Sequence, residues 1–346
     1  MYMGEKLPHI LIFGTGAVGG YIGGRLHIAA QSSGAARVSF YGRERMGQII
    51  KDHGLTLSHF ERPAVTVPPE DVDYITQLER AKRPDVIFLC VKSQDTETAA
   101  AQIKAQGWAC PIVSWQNGVG NVARLGQALP HSEIIPGVVP YNIAFPKPGV
   151  FHCGTGGALL MGEAQSGAVK AAAKMMSAGG ERVHMTGNIE SYQWGKLIIN
   201  LNNALNTLWG RPLLSGFMQK GYRKAWAASM EEGFKVLAAN NIKAGHFNGT
   251  DPKQFIKLLR LPTFLFARNF QKQVTVDKTA RSSMLDDLEG GKPSEIYFLQ
   301  GAILDLAKAS VMTAPINQAV YDATRAAFAA GESPKMSGKQ IWDLVR

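Results

Sequence analysis

One stretch of the chain combines residue types and spacing that point directly at chemistry: Gly14-Thr15-Gly16-Ala17-Val18-Gly19. A lone G-x-G-x-x-G is a weak signal. Here it follows a short apolar run, His9–Phe13, and opens a helix-like stretch, which is the context a phosphate-cradling turn requires. Gly14 permits the tight turn, Gly16 lets the backbone approach a pyrophosphate, and Gly19 lets helix and strand pack closely. The helix N-terminus adds free N–H groups and a partial positive charge. The alternative is a purely structural glycine turn. Gly20, Gly23 and Gly24 extend the run and read as packing positions. The end of the second strand decides between cofactors. An NAD site usually places Asp or Glu there, whereas this chain has Tyr41-Gly42-Arg43-Glu44-Arg45. The planar guanidinium of Arg43 suits a 2′-phosphate, so NADP(H) is the expected cofactor. A solvated surface Arg43 is the alternative, and Glu44 keeps an acid close by.

The elements that must position these residues can be read from periodicity. The run 9–13 suits a strand buried on both faces. A helix should follow to about residue 30, broken by Ser32-Ser33-Gly34. Residues 37–41, 85–91 and 111–115 read as further strands, and strands alternating with helical stretches predict a parallel sheet with helical crossovers. After about Gly187 the pattern becomes helical. Tyr222, Trp226, Met230, Phe234 and Leu237 recur at helical spacing over 222–241, a stripe that reads as core. Pro262 should end or kink a helix, a helix is expected over 294–309, and Pro315 can open the next. The predicted fold is an α/β Rossmann-type parallel-sheet domain over 1–186 followed by an all-α domain over 187–346, with the active site in the cleft between them.

Composition narrows the classes. A chain of 346 residues, 45% of them hydrophobic, can bury an ample core without metals or disulfides. The net charge of +10 suggests negatively charged partners. The basic residues are scattered, which argues against nucleic acid and leaves a phosphorylated cofactor or an anionic substrate. Cys90, Cys110 and Cys153 form no CxxC pair, and the histidines show no HxxxH or HExxH spacing, so no metal site is expected. No signal-peptide core and no membrane-spanning stretch is present, and the expectation is a soluble cytoplasmic protein that binds no membrane.

Further pieces converge. Val91-Lys92 and Gln116-Asn117-Gly118 end two of the strands. Trp194-Gly195-Lys196 opens a helix that continues to Asn200 and Asn203. Ser282-Ser283-Met284-Leu285-Asp286-Asp287 precedes Ser294-Glu295-Ile296. Together with the glycine loop and Arg43, this ordered set resembles the ketopantoate reductase (2-dehydropantoate 2-reductase) family across both domains, from about residue 9 to 328. The resemblance implies reduction of ketopantoate to pantoate by NADPH, in pantothenate and coenzyme A biosynthesis. It implies that Lys196 acts on the ketone with Glu295 beside it, and that Asn117 lies at the junction of cofactor and substrate. It also implies that Asn200, Asn203 and Ser283 contact a small 2-keto acid, that Gly14, Thr15, Gly16, Ala17, Val18, Gly19, Arg43 and Lys92 serve the cofactor, and that the helical domain supports a homodimer. The chain departs from the family pattern at Ala204, where a second asparagine is usual and Asn203 stands one residue earlier. It departs again at Tyr297 and Gln300, where an acid and an asparagine are usual.

Hydride transfer to a 2-keto acid needs a group that stabilises and protonates the developing alkoxide, and groups that hold the carboxylate. Each assignment has a plainer rival. Without the resemblance Lys196 reads better as a solvated helix lysine; Glu295 also reads as a helix N-terminal acid, Asn117 as a turn support, and Ser283, three residues before Asp286, as a helix cap. Two other functions stay open: reduction of a different 2-keto acid, and a non-catalytic NADPH sensor.

Overall fold

The structure, a computed structural model, describes residues 7–273 and 280–346. The chain divides into two compact units between Ile189 and Glu190, a few residues beyond the boundary expected after Thr186.

The first unit is built on β1 (His9–Phe13), buried at every position as an unbroken apolar run demands of a central strand. The glycine loop leads into α1 (Ala17–Ser33), which ends three residues later than expected, at Gly34 in the left-handed conformation with φ 63°. Then come β2 (Arg37–Tyr41), α2 (Glu44–His53), β3 (Leu55–His59), β4 (Arg62–Val67) and β5 (Asp73–Ile75). They are followed by β6 (Val86–Leu89), α3 (Thr96–Ala105), β7 (Ile112–Ser114), α4 (Asn121–Ala128) and β8 (Ile134–Val138). The unit closes with β9 (Ile143–Lys147), β10 (Val150–Cys153), β11 (Leu159–Gly162), α5 (Gly167–Ala178) and β12 (Val183–Thr186).

Eight strands form one sheet in the order β12-β11-β8-β7-β6-β1-β2-β5. Its pairings are parallel except β8 with β11. The run β5-β2-β1-β6-β7-β8 is the strand order of a doubly wound dinucleotide-binding fold, and its order reverses between β1 and β6. The glycine loop and Lys92 follow those two strands. A four-stranded sheet, β4-β3-β10-β9, was not expected. Its outer strand β4 is largely exposed and carries a proline, so it lacks the apolar alternation that marks a half-buried strand. This sheet lies against α1: a Cβ at Gly20 would strike the Phe151 ring, and one at Gly24 would come 2.8 Å from a Leu57 methyl. The buried Glu181 carboxylate locks the arrangement by accepting from Arg25 (3.0 Å) on α1, Arg62 (2.8 Å) on β4 and the Tyr141 hydroxyl (2.9 Å).

The second unit is helical: α6 (Ile189–Asn200), α7 (Asn202–Trp209), α8 (Leu213–Phe217), α9 (Lys220–Ala239), α10 (Pro252–Leu259) and α11 (Thr263–Gln273), then α12 (Ser283–Glu289), α13 (Gln300–Ala309), α14 (Pro315–Ala330) and α15 (Gly338–Val345). Tyr222, Trp226, Met230 and Leu237 of α9 are buried core, and Phe234 is half-buried. Pro262 separates α10 from α11 and Pro315 is the first residue of α14, as expected. Two expectations are corrected. Trp194 does not open a helix: α6 begins five residues earlier, so Lys196 sits within it, and a one-residue interruption at Leu201 separates Asn200 from Asn203. The expected helix over 294–309 is a short 3-10 turn, Ile296–Phe298, followed by α13, because Leu299 breaks it at φ −114°, ψ −91°. The buried Glu232 carboxylate meets the start of α14, accepting from the backbone of Ile316 (3.0 Å) and Asn317 (2.7 Å).

Candidate active site

In the first unit the expected cofactor residues gather at the C-terminal ends of β1, β2, β6 and β7. Gly14 adopts φ +98°, and a Cβ there would lie 2.7 Å from Val91. A Cβ at Gly19 would collide with the Gly14 carbonyl, so this residue lets α1 start directly against the loop. Around Gly16, at the start of α1, no protein atom lies within 4 Å of an added Cβ. The three glycines thus do three different things, and the open space is at the one where a pyrophosphate needs backbone access. Thr15 donates to the Tyr41 carbonyl (3.1 Å), tying the loop to β2.

Arg43 precedes α2 and is 89% exposed, with its guanidinium 3.8 Å from the Asp95 carboxylate. Its backbone is pinned: the Tyr74 hydroxyl donates to the Arg43 carbonyl (3.2 Å) and lies against Gly42, while the Tyr74 ring covers Gly47. Burial pushes the Tyr74 phenol up to about 12, with a hydrogen bond to Thr15 opposing it.

Lys92 immediately precedes the 3-10 turn Ser93–Asp95 after β6, and Asn117 follows β7. These two turns are cross-linked by a polar network that sequence reasoning did not identify. Gln116 donates to Thr96 Oγ1 (2.8 Å) and to the Lys92 carbonyl (3.4 Å), and accepts from Ser114 (2.9 Å). The Asn117 carbonyl accepts from Ser93 (2.6 Å) and from the Asn121 amide (2.8 Å). Ser93, Thr96, Gln116 and Asn121 are buried, so the network is well satisfied and stiff. No local pattern signals it; only the approach of two loops distant in sequence creates it.

In the second unit Lys196 is half-buried on α6. Burial pushes its ammonium down to about 8, and the Glu295 carboxylate pulls the other way. Glu295, 9% exposed, immediately precedes the 3-10 turn Ile296–Phe298. The fold therefore brings together two residues almost a hundred positions apart. One residue before Lys196, Gly195 faces the Gly245 carbonyl so closely that a Cβ would not fit. Asn200 ends α6 and Asn203 lies in the first turn of α7, both half-buried. The Asn203 carbonyl accepts from Ser282 (3.3 Å), which places the start of α12 beside it. Ser283 is exposed as the first residue of α12 and is not its cap: that role belongs to Ser282, whose hydroxyl accepts from Leu285 N (3.2 Å). Gln300 is fully buried, and its amide donates to the Leu201 carbonyl (2.8 Å) at the α6–α7 interruption. Tyr297 is 53% exposed. The second constellation thus holds a lysine with a depressed proton affinity, a buried carboxylate acting on it and short amides nearby, a set suited to protonating an alkoxide.

Among the described residues, no group of three or more His, Cys, Asp or Glu is placed to hold a metal ion, and no helix is long and apolar enough to cross a membrane.

A family model described as "Ketopantoate reductase PanE/ApbA" matches residues 10–166, and one described as "Ketopantoate reductase PanE/ApbA C terminal" matches residues 188–328. A 2-dehydropantoate 2-reductase of Halobacterium salinarum is 25% identical over 332 residues, spanning 92% of this chain and 98% of that protein. A crystal structure of a PanE/ApbA family ketopantoate reductase from Ralstonia eutropha JMP134 has a TM-score of 0.77 at 27% identity, covering 93% of this chain and 99% of that one. D-mandelate dehydrogenase, solved in a ternary structure with NADH and anilino(oxo)acetate, shares the fold: its TM-score is 0.75 at 21% identity, again over 93% and 99% of the two chains. The two family models leave only short segments unmatched and between them take in every residue of both constellations. The chain belongs to the ketopantoate reductase family, and it is an oxidoreductase.

Proposed function

We propose that this protein reduces ketopantoate, a 2-keto acid, to its 2-hydroxy acid at the expense of NADPH. Lys196, held down to about 8 by burial and acted on by Glu295, carries the reading. A sensor that merely binds nucleotide has no use for such a lysine, whereas a general acid works best with a proton affinity near the working pH. The residues of the first unit fit the cofactor. The open backbone at Gly16 and the α1 N-terminus suit a pyrophosphate. Exposed Arg43 suits a 2′-phosphate, with Lys92 as a second cation after β6 and Asn117 beside the nicotinamide.

NADPH, when bound, supplies the hydride. As it reaches the carbonyl carbon, the carbon–oxygen π bond breaks and the oxygen takes up the electron pair. The Lys196 ammonium stabilises that oxygen and gives it a proton, then regains one from water. Glu295 orients the ammonium and accepts a substrate hydroxyl. Asn200, Asn203 and Ser283 hold the remaining polar groups.

NADPH oxidation measured with ketopantoate and a panel of other 2-keto acids tests this reading. Ketopantoate should give the highest kcat/KM, and absence of turnover with every member would overturn it. A second reading, reduction of a different 2-keto acid, is motivated by Tyr297, an exposed aromatic where the family pattern has an acid two residues from Glu295. The same panel decides it, by a different member ranking first. Gln300 gives it little support, because its amide is already bound to the Leu201 carbonyl.

A further inference from the structure

Asp95 is an acid that the reading of Arg43 does not use. It ends the 3-10 turn after β6 that begins just past Lys92, and its backbone N–H donates to the Lys92 carbonyl (2.9 Å). It stands at the N-terminal flank of α3, where a carboxylate usually accepts from the helix's first N–H groups. It makes no such cap. Its carboxylate instead lies 3.8 Å from the Arg43 guanidinium, which extends from the far side of the glycine loop. The strands leading to these two residues, β6 and β2, flank β1 on either side. The pair therefore spans the mouth of the glycine loop, and both partners reach solvent, at 89% and 43% exposure.

We propose that Asp95 is a specificity-determining residue that competes with the cofactor's 2′-phosphate for Arg43 and so restrains the preference for NADPH over NADH. This rests on the reading that Arg43 meets the 2′-phosphate. The physical reason is simple. A phosphate approaching Arg43 must loosen an existing ion pair and accept a carboxylate as a near neighbour of like charge. NADH, with no 2′-phosphate, meets neither obstacle. The pair is exposed, so the effect is modest and salt-sensitive.

Dissociation constants for NADPH and NADH, measured by titration calorimetry on the intact chain, test this directly. Asp95→Asn keeps the shape and removes the charge. It should tighten NADPH about two- to fivefold at low ionic strength, the range expected of an exposed ion pair. NADH should stay near its parent value, and the gain should fade as salt rises. In an Arg43→Ala background the gain should shrink, since only the direct repulsion between carboxylate and phosphate would remain. Unchanged or weakened NADPH binding in Asp95→Asn overturns the proposal, as does a gain that persists undiminished without Arg43. If Arg43→Ala binds NADPH as well as the parent does, the 2′-phosphate reading itself fails and takes the proposal with it. If Arg43→Ala loses NADPH affinity while Asp95→Asn changes nothing, only the role of Asp95 falls.

Discussion

Arg43, at the end of a strand in the first unit, and Lys196, on a helix of the second, are both cations with proposed roles in one reaction, yet they live in opposite surroundings. Arg43 is nearly fully exposed, in reach of a ligand from solvent. Lys196 is half-buried, next to a carboxylate, and pushed down to about 8. The contrast follows from the two jobs. Recognising a phosphate needs a charge that never leaves, which guanidinium supplies in any setting. Delivering a proton needs a charge that can leave, and an amine gains that property only where water is partly excluded. The first unit can therefore display its cation on a loop, while the second must build a pocket around its own.

The largest expected effect tests the second half of this contrast. Lys196→Ala should lower kcat by about 10²–10⁴-fold, with NADPH affinity unchanged by calorimetry. Lys196→Arg should rescue little, since a guanidinium keeps its protons. A folded Lys196→Ala enzyme with near-parent kcat would sink the proposed mechanism. Next is pH. The ammonium is the form that donates, so the rate of ketone reduction should be level below about pH 8 and fall roughly tenfold per pH unit above it. The reverse oxidation should rise over the same range. A profile flat to pH 10 would show that Lys196 does not give up its proton.

A comparable effect tests the first half. Arg43→Ala should weaken NADPH binding about ten- to a hundredfold, the worth of a charge-assisted contact, and leave NADH nearly untouched. Equal losses for both nucleotides would end the contrast between the two cations. The smallest catalytic effect belongs to Gln300→Ala. Loss of its bond to the Leu201 carbonyl should reduce stability by roughly 1–3 kcal/mol, seen as a lower melting temperature. The kcat of the folded enzyme should stay within about twofold, because this side chain shapes the α6–α7 interruption rather than touching substrate.

The two units also differ in how much of them the sequence discloses. The bounds of β1 could be read from it because a central parallel strand is buried on both faces and must be largely apolar, and those of β2 because Val38, Phe40 and Tyr41 lie between a serine-glycine break and the next glycine. The glycine loop was legible because tight turning and close packing each demand glycine at a fixed place. The helical unit offers weaker local constraints. The start of α6 was misplaced because a Trp-Gly pair looks like punctuation, while Gly195 is glycine for another reason, its contact with the Gly245 carbonyl. The spacing to Asp286 favours Ser283 as the cap, yet the backbone gives that place to Ser282, one residue earlier. Lys196 and Glu295 came from the family pattern, since no periodicity links positions so far apart. The buried network of Ser93, Thr96, Gln116 and Asn121, and the sheet β4-β3-β10-β9, were missed because each exists only through tertiary contact.

Helix α1 carries glycine at positions 19, 20, 23 and 24, each costing about 0.5–1 kcal/mol of helix propensity relative to alanine. Such a segment has little tendency to coil by itself. It becomes a helix because two separate sheets close on it, one beneath Gly23 through Ile12 and Phe40, the other against Gly20 and Gly24 through Phe151 and Leu57. The end of this helix is also where the nucleotide's phosphates are expected. Competence to take up nucleotide should therefore arrive only after strands distant in the chain have joined on both sides. Nucleotide binding would then serve as a gauge of finished assembly. During refolding, the uptake of NADPH should lag behind the first recovery of helical signal and coincide with the last step of the N-terminal unit.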